Sequence, residues 1–270
     1  MFLFYLICGK LLIELKLGRH VMGPMFENTP TPYGKVHIYS LIISLITFVI
    51  FFMLAKKRND KKDRIVVFII SCVLIATEIW KQVSRYKLLG RYDFAIFPAQ
   101  LCSIPMFLGF IQVFIKSEKI RDVIYRYITF TGILGGLAML LVPIVILSPY
   151  IFSTIHSLFW HIVLVAQGIY LIRARNIGQN IFIEVLPTTP ILLVVVANAI
   201  ILNATPYGFN LISLSTKFVN DPPILNELYI RVPYPVYCVL VFLGLVVGLI
   251  LVDLVVFLIR KIKGAVKHEN

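Results

Sequence analysis

Seven long apolar runs constrain the fold of this chain more than any other feature of its sequence. They cover about residues 36–55, 65–84, 94–115, 122–147, 153–172, 181–203 and 236–260. Most of them reach the roughly 20 residues that a helix needs to cross a bilayer. Inside a membrane the backbone polar groups must be satisfied within the chain, which helices achieve. The sequence therefore predicts an all-α, polytopic membrane helix bundle with seven transmembrane helices.

Short segments flank and connect these runs. Residues 1–17 are apolar but interrupted by charges, so we expect a short N-terminal helix that lies at the membrane interface, with an eighth span as the alternative. This helix and a proline-rich outer loop make up residues 1–35, and a single membrane domain covers 36–260. Residues 261–270 form a basic tail. Residues 204–235 form the one long loop, which has room for a short helix.

The charge of the chain fits a membrane protein better than a nucleic-acid-binding protein. Only 14% of the residues are charged, yet the formal net charge is +13. The basic residues lie in short loops, where they set topology and meet anionic lipid. We therefore expect membrane lipids as partners and no nucleic acid, and the sequence indicates no particular protein partner. The 4 cysteines show no CxxC spacing, and we expect neither a metal site nor a cofactor.

Lysine and arginine are more frequent at one set of span ends than at the other. The richer ends lie near residues 56–64, 116–126, 173–175 and 260–267. By the positive-inside rule these ends face the cytoplasm. We therefore expect a multi-pass protein of the cell membrane, with its N-terminus outside and its C-terminus in the cytoplasm.

Polar side chains inside the apolar runs concentrate near the outer ends. Polar groups at this depth are costly, so they mark functional sites or contacts between helices. The candidates are Glu78, Lys81, Gln100, Cys102, Ser103, His156, His161, Asn198 and Asn203. The sequence thus predicts a polar site in the outer half of the membrane. Cys102 and His161 are its predicted catalytic residues, and the others are predicted binding residues.

Cys102 and His161 are expected at the same depth. Each lies eight residues into its span, which is roughly 12 Å of helix. Pro98 suits the first turn of a helix, so we expect a helix start around it, with Cys102 just beyond the positive end. A thiol and an imidazole at one depth can act as nucleophile and base. His156 would lie about 140° around the helix from His161 and face elsewhere.

Each candidate also has a purely structural interpretation. Cys102 can be a small buried apolar residue, and His161 can simply bond to a neighbouring helix. Glu78 and Lys81 stand at i,i+3 and can pair with each other alone, while His156 suits an interfacial position. Small-residue faces for close helix packing are predicted at Gly132, Gly136, Gly244 and Gly248.

The polar motifs, taken in order, resemble those of a known family. They are Glu78-x-x-Lys81, PAQLCS at 98–103, HSLFWH at 156–161, NAIILN at 198–203 and PYPVY at 233–237. Their order and spacing resemble the TMEM164 / YwaF (TP0381-like) family of integral membrane proteins. The resemblance covers nearly the whole chain from the first span onward, and it implies a seven-span fold.

The resemblance also implies a function. The animal member of the family is regarded as a phospholipid acyltransferase with a catalytic cysteine, which corresponds to Cys102, and the family histidine of the fifth span corresponds to His161. Gln100 stands where the family motif has a histidine, and glutamine can hydrogen-bond but cannot act as a base. The expected function is an integral membrane acyltransferase that acts on phospholipid or related acyl esters through a Cys102 thioester.

Two other classes of function stay open on the sequence alone. A small transporter or substrate-binding membrane component would use the polar outer pocket for a solute, although neither paired half-helices nor an inverted repeat is evident. A structural or assembly protein would carry the same spans without a ligand. An acyl group on Cys102 would distinguish the acyltransferase from both.

Overall fold

The computed structural model describes residues 28–55, 59–207, 209–215 and 223–268. The interfacial helix predicted at residues 1–17 lies outside this part of the chain. The described part is built from α-helices joined by short 3₁₀ turns and loops.

The described α-helices agree with an apolar membrane bundle. They are α1 (Lys35–Leu54), α2 (Asp60–Leu89), α3 (Ile104–Ile111), α4 (Glu118–Leu141), α5 (Ile151–Ala174), α6 (Thr189–Asn203), α7 (Pro223–Arg231) and α8 (Tyr234–His268). Six segments of the described chain are long and apolar enough to cross a membrane: α1, α2, α4, α5, Leu186–Asn203 and Tyr234–Ile262. This confirms the predicted all-α, multi-pass bundle, and α7 is the short helix for which the long loop had room.

The boundaries of α2 follow from local capping chemistry. The Asn59 side chain accepts a hydrogen bond of 3.0 Å from the backbone N–H of Lys62, which satisfies one of the free donors at the helix start. Gly90 ends the helix in the left-handed conformation, with φ of 66°. Because both caps lie beyond the apolar run 65–84, α2 extends past the predicted span at each end.

The third predicted span, 94–115, is not one continuous helix. It begins with a 3₁₀ turn at Phe94–Ile96 and an irregular stretch that lasts to Ser103. Only α3 is α-helical, and a second 3₁₀ turn at Gln112–Phe114 follows it. This segment is therefore too short to be counted among the spanning helices.

Two prolines explain the interruption. Pro98 disfavours helical backbone in the residue before it and has no N–H to donate. Pro105 lies in the first turn of α3, where a missing N–H costs nothing. The prediction that the helix begins at Pro98 was therefore wrong, because the proline at the helix start is the second one. The irregular backbone is satisfied locally, for example by the Gln82 side chain, which donates to the Ile96 carbonyl at 2.8 Å.

Helices α4 and α5 approach each other closely at two glycines of α4. A Cβ atom added at Gly132 would lie 3.0 Å from the carbonyl oxygen of Leu164. One added at Gly136 would lie 3.0 Å from the carbonyl oxygen of His161. The predicted packing face at Gly132 and Gly136 is thus confirmed, since only glycine permits this backbone approach.

The second predicted glycine face is only half correct. A Cβ atom at Gly248 would meet the Leu134 side chain at 2.8 Å, so this glycine does pack against α4. Gly244 has no atom within 4 Å of its added Cβ. Of the two close contacts that the G-x-x-x-G spacing of α8 predicted, the structure shows only the one at Gly248.

His37 joins the start of α1 to the end of α4. Its Nδ1 accepts a hydrogen bond of 3.0 Å from the backbone N–H of Tyr33, so the ring proton is on Nε2, which donates to the Leu140 carbonyl at 2.8 Å. Both ring nitrogens are satisfied and the side chain is 0% exposed. His37 is thus a structural histidine.

Candidate functional site

Glu78 is the centre of a buried polar cluster between α2 and α5. Its side chain is 1% exposed, and Oε1 lies 2.7 Å from Nζ of Lys81. The same oxygen accepts a hydrogen bond of 2.7 Å from Nε2 of Gln82. The other oxygen, Oε2, lies 3.9 Å from Nε2 of His156. The i,i+3 ion pair of Glu78 with Lys81 is therefore present, but it belongs to a larger network.

His156 lies between this carboxylate and two tryptophans. Its ring centroid is 5.3 Å from that of Trp160 and 6.4 Å from that of Trp80. Neither ring nitrogen makes a hydrogen bond within the described residues. Buried polar groups normally have partners, so His156 is available to bind a polar group that enters the cluster.

His161 is held in one tautomer by its own helix. Its Nδ1 lies 2.7 Å from the carbonyl oxygen of Ser157. A carbonyl can only accept, so in the neutral ring the proton is on Nδ1 and Nε2 keeps a free lone pair. His161 is thus in the form that a general base working through Nε2 requires.

Cys102 lies in the irregular stretch, two residues before α3. Its side chain packs against a buried apolar cluster that includes Met106 and Trp160. The indole Nε1 of Trp160 donates a hydrogen bond of 3.4 Å to the Cys102 carbonyl oxygen. The irregular part of the third span therefore places Cys102 against apolar side chains of α2, α3 and α5.

One turn of α4 lies against both predicted catalytic residues. A Cβ atom added at Gly135 would lie 3.9 Å from Cβ of Cys102, and one at Gly136 would lie 3.0 Å from the His161 carbonyl. Neighbouring residues on a helix point about 100° apart. Cys102 and the His161 turn of α5 therefore flank the same part of α4, at a similar level in the bundle.

Gln100 and Asn203 both hold the backbone of the long loop. Nε2 of Gln100 donates to the Asn210 carbonyl at 2.9 Å, and Oε1 accepts from the Ile212 N–H at 2.9 Å. Asn203 makes the same two-way contact with Leu211, at 3.0 and 2.9 Å. Ile212 has a left-handed φ of 56°, which is strained for a β-branched residue. Both carboxamides thus stabilise a loop whose backbone is strained.

The other two predicted binding residues lie in different surroundings. Ser103 is buried next to Cys102 at the start of α3. Asn198 is on the exposed side of α6, so its carboxamide does not line the buried cluster. Of the predicted residues, the structure joins Glu78, Lys81 and His156 in one cluster. His156, which was expected to face elsewhere, is therefore buried in this cluster. Trp160 contacts the His156 ring and the Cys102 carbonyl, so it connects the cluster to Cys102 and its neighbour Ser103. Within the described residues, no group of three or more His, Cys, Asp or Glu side chains is arranged to hold a metal ion.

A second buried charge cluster, which the sequence analysis missed, lies at the other end of α5. Arg175 is 2% exposed, and its guanidinium lies 2.5 Å from Asp122 and 3.3 Å from Asp63. The Tyr125 ring lies under it at 4.9 Å. Burial opposes the charge of Arg175, but the hydrogen bond and charge of Asp122, together with Asp63, outweigh it and raise the pKa of Arg175.

The signal for this cluster was present in the sequence. From the sequence, Arg175 was only one of the basic residues that set topology. Acidic residues at 60, 63, 118 and 122 lie at the same span ends. Basic loops that are exposed to solvent need no acidic partners. Four carboxylates beside the arginines therefore indicate a buried ion-pair network.

The chain matches a protein-family model over most of its length. The model is that of the TMEM164 family, and it matches residues 32–252. The matched region runs from just before α1 into α8, so it includes both charge clusters and the interrupted third span. No curated protein and no solved structure matches this chain.

Proposed function

Because this chain belongs to the TMEM164 family, we propose that it is an integral membrane acyltransferase that transfers acyl groups from lipid esters through a thioester on Cys102. The observation that carries this proposal is the position of Cys102. It lies in the non-helical stretch before α3, among apolar side chains, and Trp160 connects it to the cluster of Glu78 and His156. An acyl ester of a lipid brings to such a site both a chain for the apolar cluster and a carbonyl for the thiol.

In the first half of the reaction the acyl group moves to the enzyme. Nε2 of His161 takes the thiol proton, and the Cys102 sulfur attacks the ester carbonyl carbon. The new C–S bond forms, the ester C–O bond breaks, and the departing lysolipid oxygen receives the proton from His161. The hydrogen bond from Nδ1 to Ser157 supports this role, because it keeps the Nε2 lone pair free.

In the second half an acceptor takes the acyl group. Its hydroxyl or amine gives a proton to Nε2 of His161 as it attacks the thioester carbon. The C–S bond then breaks, and the sulfur recovers its proton from the imidazolium. Apolar surroundings favour transfer to a bound acceptor over loss to water.

The Glu78 cluster is the proposed site for the lipid headgroup. The cluster offers a negative charge on the Glu78 carboxylate and a positive charge on the Lys81 ammonium. It also offers the ring of His156, whose nitrogens make no hydrogen bond within the described residues. The distribution of lysine and arginine favours an orientation with this cluster in the outer half of the cell membrane and the C-terminus in the cytoplasm.

Trapping of the acyl-enzyme tests the proposal. Purified protein in detergent is incubated with a defined phospholipid, and intact-mass spectrometry looks for an added acyl mass that neutral hydroxylamine removes. We expect the adduct in the wild type and in Cys72→Ala, which removes a half-buried cysteine of α2, and no adduct in Cys102→Ala. A hydroxylamine-sensitive adduct that persists in Cys102→Ala would falsify the assignment of the nucleophile.

A solute-binding or transport function is the second candidate, and the break in the third span favours it. Irregular backbone at membrane depth is tolerated where it lines a cavity or a binding site, as in discontinuous transporter helices. This function needs the Glu78 cluster but not the thiol. A solute that raises the melting temperature of both the wild type and Cys102→Ser, with no acyl adduct, would support it over the acyltransferase.

A further inference from the structure

We propose that the end of the bundle opposite Cys102 binds a phospholipid, whose phosphate lies in a polar cavity beside Arg126 and whose acyl chain lies in an adjoining apolar groove. This site is separate from the proposed catalytic site. His161 and Arg175 are fourteen residues apart on α5, which is about 21 Å of helix.

The cavity has the size of a ligand site. Its volume is about 560 Å³, and it lies between α4, the end of α5 and the chain that follows. Sites for small molecules and cofactors typically measure roughly 300–1,000 Å³. The polar groups on its walls that can donate hydrogen bonds come from Arg126, Arg173, Arg175, Asn176, Gln179 and Asn180.

The carboxylates on the walls are already bonded to the protein. Asp122 lies 2.5 Å from the guanidinium of Arg175. Glu184 accepts two backbone hydrogen bonds, from Gly178 at 2.8 Å and from Gln179 at 2.9 Å. Their negative charges are therefore offset by groups of the chain itself, and they do not demand a cationic ligand.

Hydrogen-bond donors, in contrast, remain available. Arg126 is a third exposed and reaches Glu184 only at 3.9 Å, beyond hydrogen-bond distance. Gln179 and Asn180 are exposed at the rim. The walls carry three arginines against two carboxylates. The Arg126 guanidinium together with the amides matches a set of phosphate oxygens, so the cavity favours an anionic group.

An apolar groove is lined in part by the residues that directly precede and follow Glu184 of the cavity wall. Its walls are Phe182, Ile183, Val185, Leu186, Thr189, Val246 and Ile250, and its volume is about 180 Å³. Because Glu184 of the cavity wall stands between Ile183 and Val185 of the groove wall, the two spaces are neighbours along one segment of chain. A ligand that fills both must have a phosphate at one end and a hydrocarbon chain at the other.

This combination selects a membrane phospholipid over a water-soluble phosphate. The groove side chains Phe182, Ile183 and Leu186 are exposed by 61%, 66% and 70%, at the start of the membrane span Leu186–Asn203. A soluble phosphate ester would use the arginines and leave the groove empty. A phospholipid covers both, since its headgroup lies at the same interface as the ends of the spans.

Native mass spectrometry of the full chain released from detergent tests the site. The probes are phosphatidylglycerol and sn-glycerol 3-phosphate, added in a concentration series. We expect phosphatidylglycerol to bind at one lipid per chain and to bind about tenfold more weakly to Arg126→Gln, because one charge-assisted hydrogen bond is lost. Arg231→Gln is the matched control, since Arg231 forms an exposed ion pair with Glu227 on α7.

Two more variants keep the test decisive. Asn180→Asp adds a negative charge at an exposed position of the rim and should weaken lipid binding without harming folding. Ile183→Ser, also exposed, should weaken binding of the lipid but not of sn-glycerol 3-phosphate. Equal lipid affinity in the wild type, Arg126→Gln and Asn180→Asp would overturn the proposal. Binding of sn-glycerol 3-phosphate as tight as that of the lipid, unchanged in Ile183→Ser, would overturn it in favour of a soluble phosphate.

Discussion

Oε2 of Glu78 and Nε2 of His156 face each other across the contact of α2 and α5 at 3.9 Å. This distance is too long for a direct hydrogen bond. Oε1 of the same carboxylate is already bonded to Lys81 and Gln82. A hydroxyl or ammonium group that enters beside the pair can therefore bond to the carboxylate and to the imidazole together. We expect this gap to be where a substrate headgroup is recognised.

Glu78→Leu should lower the free energy of unfolding by about 3–5 kcal/mol, because it leaves Lys81 without its buried counter-charge. Glu78→Gln, which still offers an oxygen to Gln82, should cost less than Glu78→Leu. Titration with SDS, followed by circular dichroism, measures both. Glu227→Gln breaks an exposed ion pair with Arg231 and should change stability by less than about 1 kcal/mol. A cost of Glu78→Leu no larger than that of the control would show that the ion pair is not buried.

Gly136→Ala should destabilise the bundle by about 1–3 kcal/mol, because its methyl group would lie 3.0 Å from the His161 carbonyl oxygen and force α4 and α5 apart. Gly244→Ala is the matched control, since its methyl group meets nothing within 4 Å. The control should be neutral or slightly stabilising, because alanine favours the helix. The same SDS titration compares the two. Similar effects of both substitutions would contradict the close contact of α4 and α5.

Gln100→Ala should release the loop at Asn210 and Ile212, because both hydrogen bonds of the carboxamide are lost. Hydrogen–deuterium exchange of peptides from 209–215 should become faster, while exchange in α4 stays the same. Gln100→His should release the loop as well, since the donor and acceptor nitrogens of the ring lie at different distances from the backbone than the paired oxygen and nitrogen of the carboxamide. If exchange in the loop is unchanged in both variants, Gln100 does not hold it.

Arg175→Gln should destabilise the protein by about 3–5 kcal/mol, because the buried Asp63 and the nearby Asp122 would both lose the positive charge of the guanidinium. Arg173→Gln is the control two residues earlier, where the exposed guanidinium bonds to the Phe52 carbonyl. Thermal unfolding in detergent compares the two variants. We expect a much larger drop in melting temperature for Arg175→Gln, and equal drops would contradict a buried network.

Much of the fold was predictable, because the hydropathy of a segment depends only on its own residues and not on its tertiary contacts. The apolar runs around α1, α2, α4 and α5 were long enough to identify spans without knowing any contact. The interruption at 97–103 was not predictable in the same way. Two prolines can each begin a helix, and the choice of Pro105 over Pro98 depends on whether other side chains satisfy the intervening backbone.

The candidate site was partly predictable for the same reason. Intramembrane polar residues are rare, so Glu78 and His161 stood out by cost alone, whereas Cys102 stood out by its expected depth, which equals that of His161. The hydrogen-bond and ion-pair partners of the polar residues could not be identified in this way. Gln100 bonds to Ile212, which is 112 positions away, and Arg175 pairs with Asp63, also 112 positions away. Spacing along one helix carries no information about such contacts.

The sequence by itself thus determined that this protein is a multi-pass helical bundle and which polar side chains lie within it, because both depend on the cost of placing each segment in lipid. Only the tertiary structure decided how those side chains are used. In the folded protein Gln100 and Asn203 bond to a strained loop, Glu78 lies beside His156, and Arg175 is buried among carboxylates. The physical reason is that a hydrogen bond depends on the rotation and spacing of two helices, which no single segment specifies.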